Sequence, residues 1–131
     1  MKVLALDYGS ARTGVAVSDP TGTIARPLGV VERAYSDPGL ARVLELARAQ
    51  EVERIVVGLP VTLRGEHGAQ ARETEVFVDA LRAVSDLPVE SFDERFTTRL
   101  AQATPSRASE DAAAAAHLLT SYLTWLSARV T

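Results

Sequence analysis

The feature that most constrains this chain is its opening stretch, where the apolar run Val3-Leu4-Ala5-Leu6 stops abruptly at Asp7. Those four residues have no polar side among them, which suits a strand covered on both faces. Gly9 and Gly14 bracket a short polar connection, and Val15-Ala16-Val17 leads out as a second strand, so the segment predicts a hairpin. An acid therefore stands at the mouth of a core strand. Such a carboxylate is either a turn-former bonded to nearby backbone N–H groups or a metal ligand held on a rigid element.

The rest of the chain extends this start into one α/β domain over residues 1–131. Thr23 to Val31 reads as a third strand, and Pro27 marks it as edge or bulged because proline cannot donate to a ladder. Ser36-Asp37-Pro38 is a helix start, followed by an apolar stripe of Leu40, Val43, Leu44 and Ala47. Ile55 to Leu59 is a second interior strand, and Val76, Phe77, Ala80, Leu81 and Val84 predict the stripe of a second helix. The loop between them, Thr62 to Gly68, lies between a strand's end and a helix, where ligands bind in open α/β sheets. Pro88 to Phe92 forms a last strand ending in Asp93-Glu94-Arg95; Thr97 or Thr98 caps a short helix with Leu100 facing inward. Ser109 is the expected cap of a long final helix that opens with Glu110-Asp111 and carries Leu118, Leu119, Tyr122, Leu123 and Leu126 on one stripe. Ala112 to Ala116 are small enough to let that helix approach a sheet closely.

Composition narrows the setting. With 131 residues the chain builds a core without staples but is too short for two nucleotide-binding lobes. The absence of cysteine excludes disulfides and thiolate metal sites, and points to a reducing, cytoplasmic compartment. No membrane span or secretion signal is expected. A net charge of −3 argues against indiscriminate coating of nucleic acid, although all but Lys2 of the fourteen basic residues are arginines, which suit bidentate phosphate contact.

Right-handed crossovers make the later strands run parallel to the first, so Asp7 and Asp93 are expected at carboxyl ends on one edge of the sheet. Asp111 joins them if the last helix starts over that edge. Three carboxylates around one point repel unless a cation is present, and carboxylate-plus-water sites suit Mg²⁺ or Mn²⁺. Two such ions about 4 Å apart support hydrolysis of phosphodiesters.

Asp7-Tyr-Gly9-Ser-Ala-Arg12-Thr-Gly14-Val-Ala-Val-Ser18-Asp19, Val57-Gly58-Leu59-Pro60, Asp93-Glu94-Arg95-Phe96-Thr97-Thr98 and Glu110-Asp111-Ala112-Ala113-Ala114-Ala115 resemble, in order and spacing, the YqgF family, also called RuvX or pre-16S rRNA nuclease. The resemblance implies a ribonuclease H-like fold: a mixed five-stranded sheet, an antiparallel three-strand meander and then parallel strands, with helices on both faces. It also implies metal-dependent cleavage during maturation of the 5′ end of 16S rRNA, and kinship with Holliday junction resolvases. By position, Asp7 looks like the first metal ligand, Asp93 or Glu94 the second and Asp111 the third, with Mg²⁺ or Mn²⁺ as the ion. Asp93 and Glu94 point to opposite faces if the strand runs through both, so only one reaches the metal. Gly9, Arg12, Arg64, Arg95 and Arg107 are the positions expected at the nucleic acid. Two departures stand out: Arg107 is the only basic residue just before the last helix, where relatives often carry a basic stretch, and Arg64 stands where they commonly have an acid.

Three alternatives remain at this point. A junction resolvase uses the same acids but works as a dimer on branched DNA. A non-catalytic nucleic-acid or ribosome-binding module uses them as caps and turns. An actin-like phosphotransferase has a phosphate loop similar to Asp7-Tyr-Gly9-Ser, but needs a second lobe. The expected partner is RNA, within or outside a pre-ribosomal particle, for a monomer or homodimer.

Overall fold

The computed structural model describes residues 1–60, 68–93 and 107–130, with the backbone only at residues 107–109 and 130. Its elements follow in the order β1 (Val3–Asp7), β2 (Arg12–Ser18), β3 (Ala25–Glu32), α1 (Asp37–Ala49), β4 (Arg54–Leu59), α2 (Ala69–Val84), β5 (Val89–Asp93) and α3 (Arg107–Val130). The strands form one sheet in the order β3-β2-β1-β4-β5. β1 to β3 pair antiparallel, while β4 pairs parallel with β1 and β5 parallel with β4. This is the expected meander followed by parallel strands. The short helix expected behind Thr97 or Thr98 lies outside the described residues, as do Arg64, Glu94 and Arg95. Among the described residues, no helix is long and apolar enough to cross a membrane.

Strand alternation sorts the apolar side chains into two cores. Leu4, Leu6, Val15, Val17, Ile55 and Val57 pack with Val43 of α1 and with Phe77 and Leu81 of α2. Val3, Ala5, Ala16, Val56 and Phe92 pack with Ala115, Leu118, Leu119 and Tyr122 of α3. The sheet is therefore a middle layer covered on both faces, which is why β1 has no polar side. At the edge, Pro27 sits where the β2–β3 register shifts between Val15 and Ala16, so the missing N–H falls at a bulge. α1 begins as expected: the Ser36 hydroxyl accepts from the Gly39 N–H at 3.1 Å. Asp19 closes the β2–β3 connection by accepting from the backbone N–H groups of Ile24 and Thr23 at 2.9 and 2.8 Å. The Ile24 bond, then the Thr21 hydroxyl and the Thr23 bond, hold its carboxyl well below the usual carboxylate range.

Two expectations are corrected. Val76 and Val84 are 69% and 54% exposed, and the buried row of α2 is instead Ala71, Thr74, Phe77, Val78 and Leu81. That row keeps the three- and four-residue spacing of a helix face; Thr74 is tolerated in it because its hydroxyl donates to the Gln70 carbonyl at 2.9 Å. α3 is already helical at Arg107, so Ser109 lies inside the helix rather than capping it. Arg107 and Ala108 are both good helix formers, which favours the earlier start.

At the end of the sheet away from Asp7, Tyr122 ties α3 to two strands. Its buried hydroxyl accepts from Arg54 Nη1 at 2.7 Å and donates to Glu90 Oε1 at 2.5 Å. Burial, and next the bond to Glu90, push the phenol pKa up, so the hydroxyl keeps its proton. Tyr122→Phe is expected to lower stability by about 1 kcal/mol, measured by urea unfolding, because two bonds are lost while Arg54 and Glu90, 3.5 Å apart, can still pair.

Candidate active site

The carboxyl ends of β1, β4 and β5 lie along one edge, and the start of α3 crosses it. Alternation puts Asp7 on the side of Val3 and Ala5, facing the α3 layer. Across the antiparallel ladder its partner is Gly14, and on the β4 side the register runs one step past Leu6 and Val57 to Gly58. Both positions beside Asp7 therefore lack a side chain.

The space over Gly14 is taken by α3. A Cβ placed on Gly14 would lie 1.8 Å from the Asp111 carbonyl oxygen and 3.1 Å from the Ala112 nitrogen. Helix and strand touch backbone to backbone, which the small residues Ala112 and Ala115 permit. Gly14 is thus a helix-docking position inside β2, rather than the end of the connecting loop. Because directly opposed residues of an antiparallel pair have Cβ positions about 5 Å apart, Asp111 is seated one strand away from Asp7. Gly9 has the local role expected of it: a Cβ there would meet the Arg12 carbonyl oxygen at 2.4 Å, so the β1–β2 turn closes only on glycine.

Arg12 lies on the same side of β2 as Gly14, and its Nε donates to Asp111 Oδ2 at 2.8 Å. Each side chain is about one-third exposed, so the pair is worth at most about 1 kcal/mol and can yield to a stronger partner. A residue expected to contact phosphate thus supplies positive charge to one of the acids. Asp93 ends β5 opposite Leu59. Glu90 reaches Tyr122 and Phe92 packs in the α3 core, while Val89 packs in the other, so alternation places Asp93 with Val89 on the α1–α2 side. Among the described residues, no three His, Asp or Glu side chains are grouped to hold a metal ion. The backbone of Arg107 opens α3 at the same edge.

On the α1–α2 side of this edge a groove of about 450 Å³ is lined by Tyr8, Ser10, Tyr35, Glu73, Val76 and other residues. Sequence reading gives Tyr8, Tyr35 and Glu73 no role. The available signal is that Tyr8 directly follows Asp7 and Ser10 lies two residues further on.

Comparison with known proteins places the chain in a family. The RuvX family model, described as "Holliday junction resolvase", matches residues 1–125. The chain belongs to the RuvX family. Relatives are named "Putative pre-16S rRNA nuclease": that of Chloroflexus aggregans is 47% identical over 100 residues, covering 76% of this chain and 70% of its own length. The one from Symbiobacterium thermophilum is 40% identical over 138 residues, covering 98% of this chain and 96% of its own. Among solved structures, RuvC of T. thermophilus in complex with a Holliday junction substrate superposes with a TM-score of 0.61 at 20% identity, over 97% of this chain and 96% of that one. The ribonuclease H-like resolvase fold is therefore shared between RuvX and RuvC at low sequence identity.

Proposed function

We propose that this RuvX-family chain is a metal-dependent nuclease that hydrolyses phosphodiester bonds of RNA, trimming the 5′ end of pre-16S rRNA. The observation that carries the reading is the seating of the Asp111 backbone on Gly14, directly across from Asp7. Two acids from opposite ends of the chain are brought to one edge, with glycine on both sides of the first. Mg²⁺ and Mn²⁺ are held by one or two carboxylates together with water and substrate phosphate oxygens, and the Asp7–Asp111 donor set fits that chemistry. When bound, such ions activate water and stabilise the leaving oxygen.

In this reading Asp7 and Asp111 are ligands. The third is Glu94 rather than Asp93, since Asp93 alternates away from the Asp7 side and only one of two neighbours can share it. Arg12 is paired with Asp111, and would be free to contact a phosphate if that carboxylate held a metal ion. Arg64, Arg95 and Arg107 are further phosphate contacts, and Gly9 lets the backbone approach the scissile group. RNA is preferred to branched DNA because relatives named for pre-16S rRNA are 40–47% identical, whereas likeness to the junction-bound RuvC is one of fold.

The test is cleavage of a 5′-extended 16S precursor RNA, with a synthetic four-way DNA junction in parallel, in Mg²⁺, Mn²⁺ and EDTA. The RNA is expected to be cut with either ion and left intact in EDTA. Cutting of the junction alone would replace this reading with a resolvase; cutting of neither would remove it.

A further inference from the structure

The groove on the far side of the Asp7 edge has a chemistry that hydrolysis does not use. Tyr8 alternates to the opposite side from Asp7 and stacks on Phe77, with ring centroids 4.5 Å apart and planes 21° apart. Glu73 of α2 and Tyr35 of the β3–α1 turn line the groove together with that ring. Tyr35 is 51% exposed and Val76 69% exposed, and both present large apolar surfaces to the groove.

The exposure of Tyr35 is built into a fixed turn. Arg33 N–H donates to the Ala11 carbonyl at 3.0 Å, and Ser36 N–H returns to the Arg33 carbonyl at 2.9 Å. A Cβ on Gly39 would lie 2.1 Å from that same carbonyl oxygen, so α1 leaves the turn no slack. The ring is therefore presented from a backbone already in place, and little freedom remains to be lost when something stacks on it.

What fits is narrowed by Glu73. A carboxylate in the groove opposes phosphate and favours a flat group with apolar faces and N–H donors on its rim. An unpaired nucleobase has that chemistry, since aromatic side chains stack on its faces and carboxylates accept from its exocyclic amino group. The chain itself links groove and acids, because Asp7 and Tyr8 are consecutive and lie on opposite sides of one edge. A single strand crossing that edge would meet the acids on the α3 side and the groove on the α2 side.

We propose that the Tyr8–Tyr35–Glu73 groove is a base-binding subsite for single-stranded RNA, holding a base next to the phosphate at Asp7 and Asp111; this rests on the nuclease reading above. The test is binding of a short fluorescein-labelled single-stranded RNA by anisotropy in EDTA, where no cleavage intervenes, with the same RNA annealed to its complement as a second probe. Tyr35→Ala, whose fold is checked by thermal unfolding, is expected to weaken single-strand binding by roughly 5- to 150-fold, the cost of removing one stacking platform. Tyr35→Phe keeps the ring and is expected to stay within about twofold of wild type. Duplex affinity should be the same in all three proteins, because paired bases cannot enter the groove. Unchanged single-strand affinity in Tyr35→Ala, an equal loss on the duplex, or no single-strand binding by wild type would each overturn the subsite. Cleavage of the precursor RNA by wild type in Mg²⁺ or Mn²⁺ then decides the nuclease reading on its own.

Discussion

Asp7→Asn is expected to preserve the fold and to cut metal-dependent cleavage by roughly 10²- to 10³-fold or more, the scale of losing one preorganised electrostatic contact to a transition state. The side chain keeps its shape and one carbonyl oxygen but loses the charge that holds a hard cation. Val3 to Leu6 are fully covered by the two cores, and asparagine occupies the same space at the end of the strand. The variant should therefore unfold near the wild-type temperature in EDTA. The two proteins should separate when Mn²⁺ is added. An ion that binds only the folded state at 100 times its dissociation constant stabilises wild type by about 2.7 kcal/mol, and the variant should lose most of that gain. Measuring melting temperature against Mn²⁺ alongside cleavage keeps the ligand role separate from catalysis. Cleavage retained in Asp7→Asn would remove Asp7 from the site, and an undiminished Mn²⁺ shift with lost cleavage would give it a role other than metal binding.

Much of this edge was legible in the sequence because it follows from backbone rules. A doubly covered strand ending in an acid, right-handed crossovers and a proline at a bulged edge strand each have few solutions, and together they lead to a three-strand meander followed by strands parallel to the first. Ser36-Asp37-Pro38 likewise announces α1 through a local hydrogen bond. What could not be read depends on contacts between distant segments. Arg12 and Asp111 are 99 residues apart in the chain, and no local pattern reveals that one neutralises the other. Gly14 looks like loop punctuation until α3 is seen lying on it. In α2 the apolar residues misled: Val76 is turned out beside the groove, while Thr74 is buried with its hydroxyl satisfied inside the helix. An exposed valine at a groove wall and a buried threonine reverse the usual sorting, and side-chain type alone cannot signal that.

Gly14→Ala is expected to be strongly damaging for a change of one methyl group. The new Cβ would sit 1.8 Å from the Asp111 carbonyl oxygen and 2.4 Å from its carbon, and both atoms are backbone, so no rotamer change relieves the clash. Either β2 bends inward against a filled core or α3 lifts away from the sheet. The second is easier, but it opens the layer that Ala115, Leu118, Leu119 and Tyr122 close over Val3, Ala5 and Ala16. Overpacking of this kind costs about 1–3 kcal/mol, and the backbone contact puts Gly14 at the upper end or beyond. Chemical denaturation should show that loss, with Gly29→Ala as the control, since a Cβ at Gly29 in the adjoining strand meets nothing within 4 Å. The functional effect should exceed what instability explains. Lifting α3 moves Asp111 away from Asp7, and a displacement of about 1 Å at reacting groups can cost about 10²-fold in rate. Cleavage measured well below the variant's melting temperature should therefore fall by about that factor, while Gly29→Ala cleaves normally. If Gly14→Ala is destabilised but cleaves at the wild-type rate when folded, the seating of α3 on β2 serves stability alone, and the pairing of Asp7 with Asp111 is not what positions the chemistry.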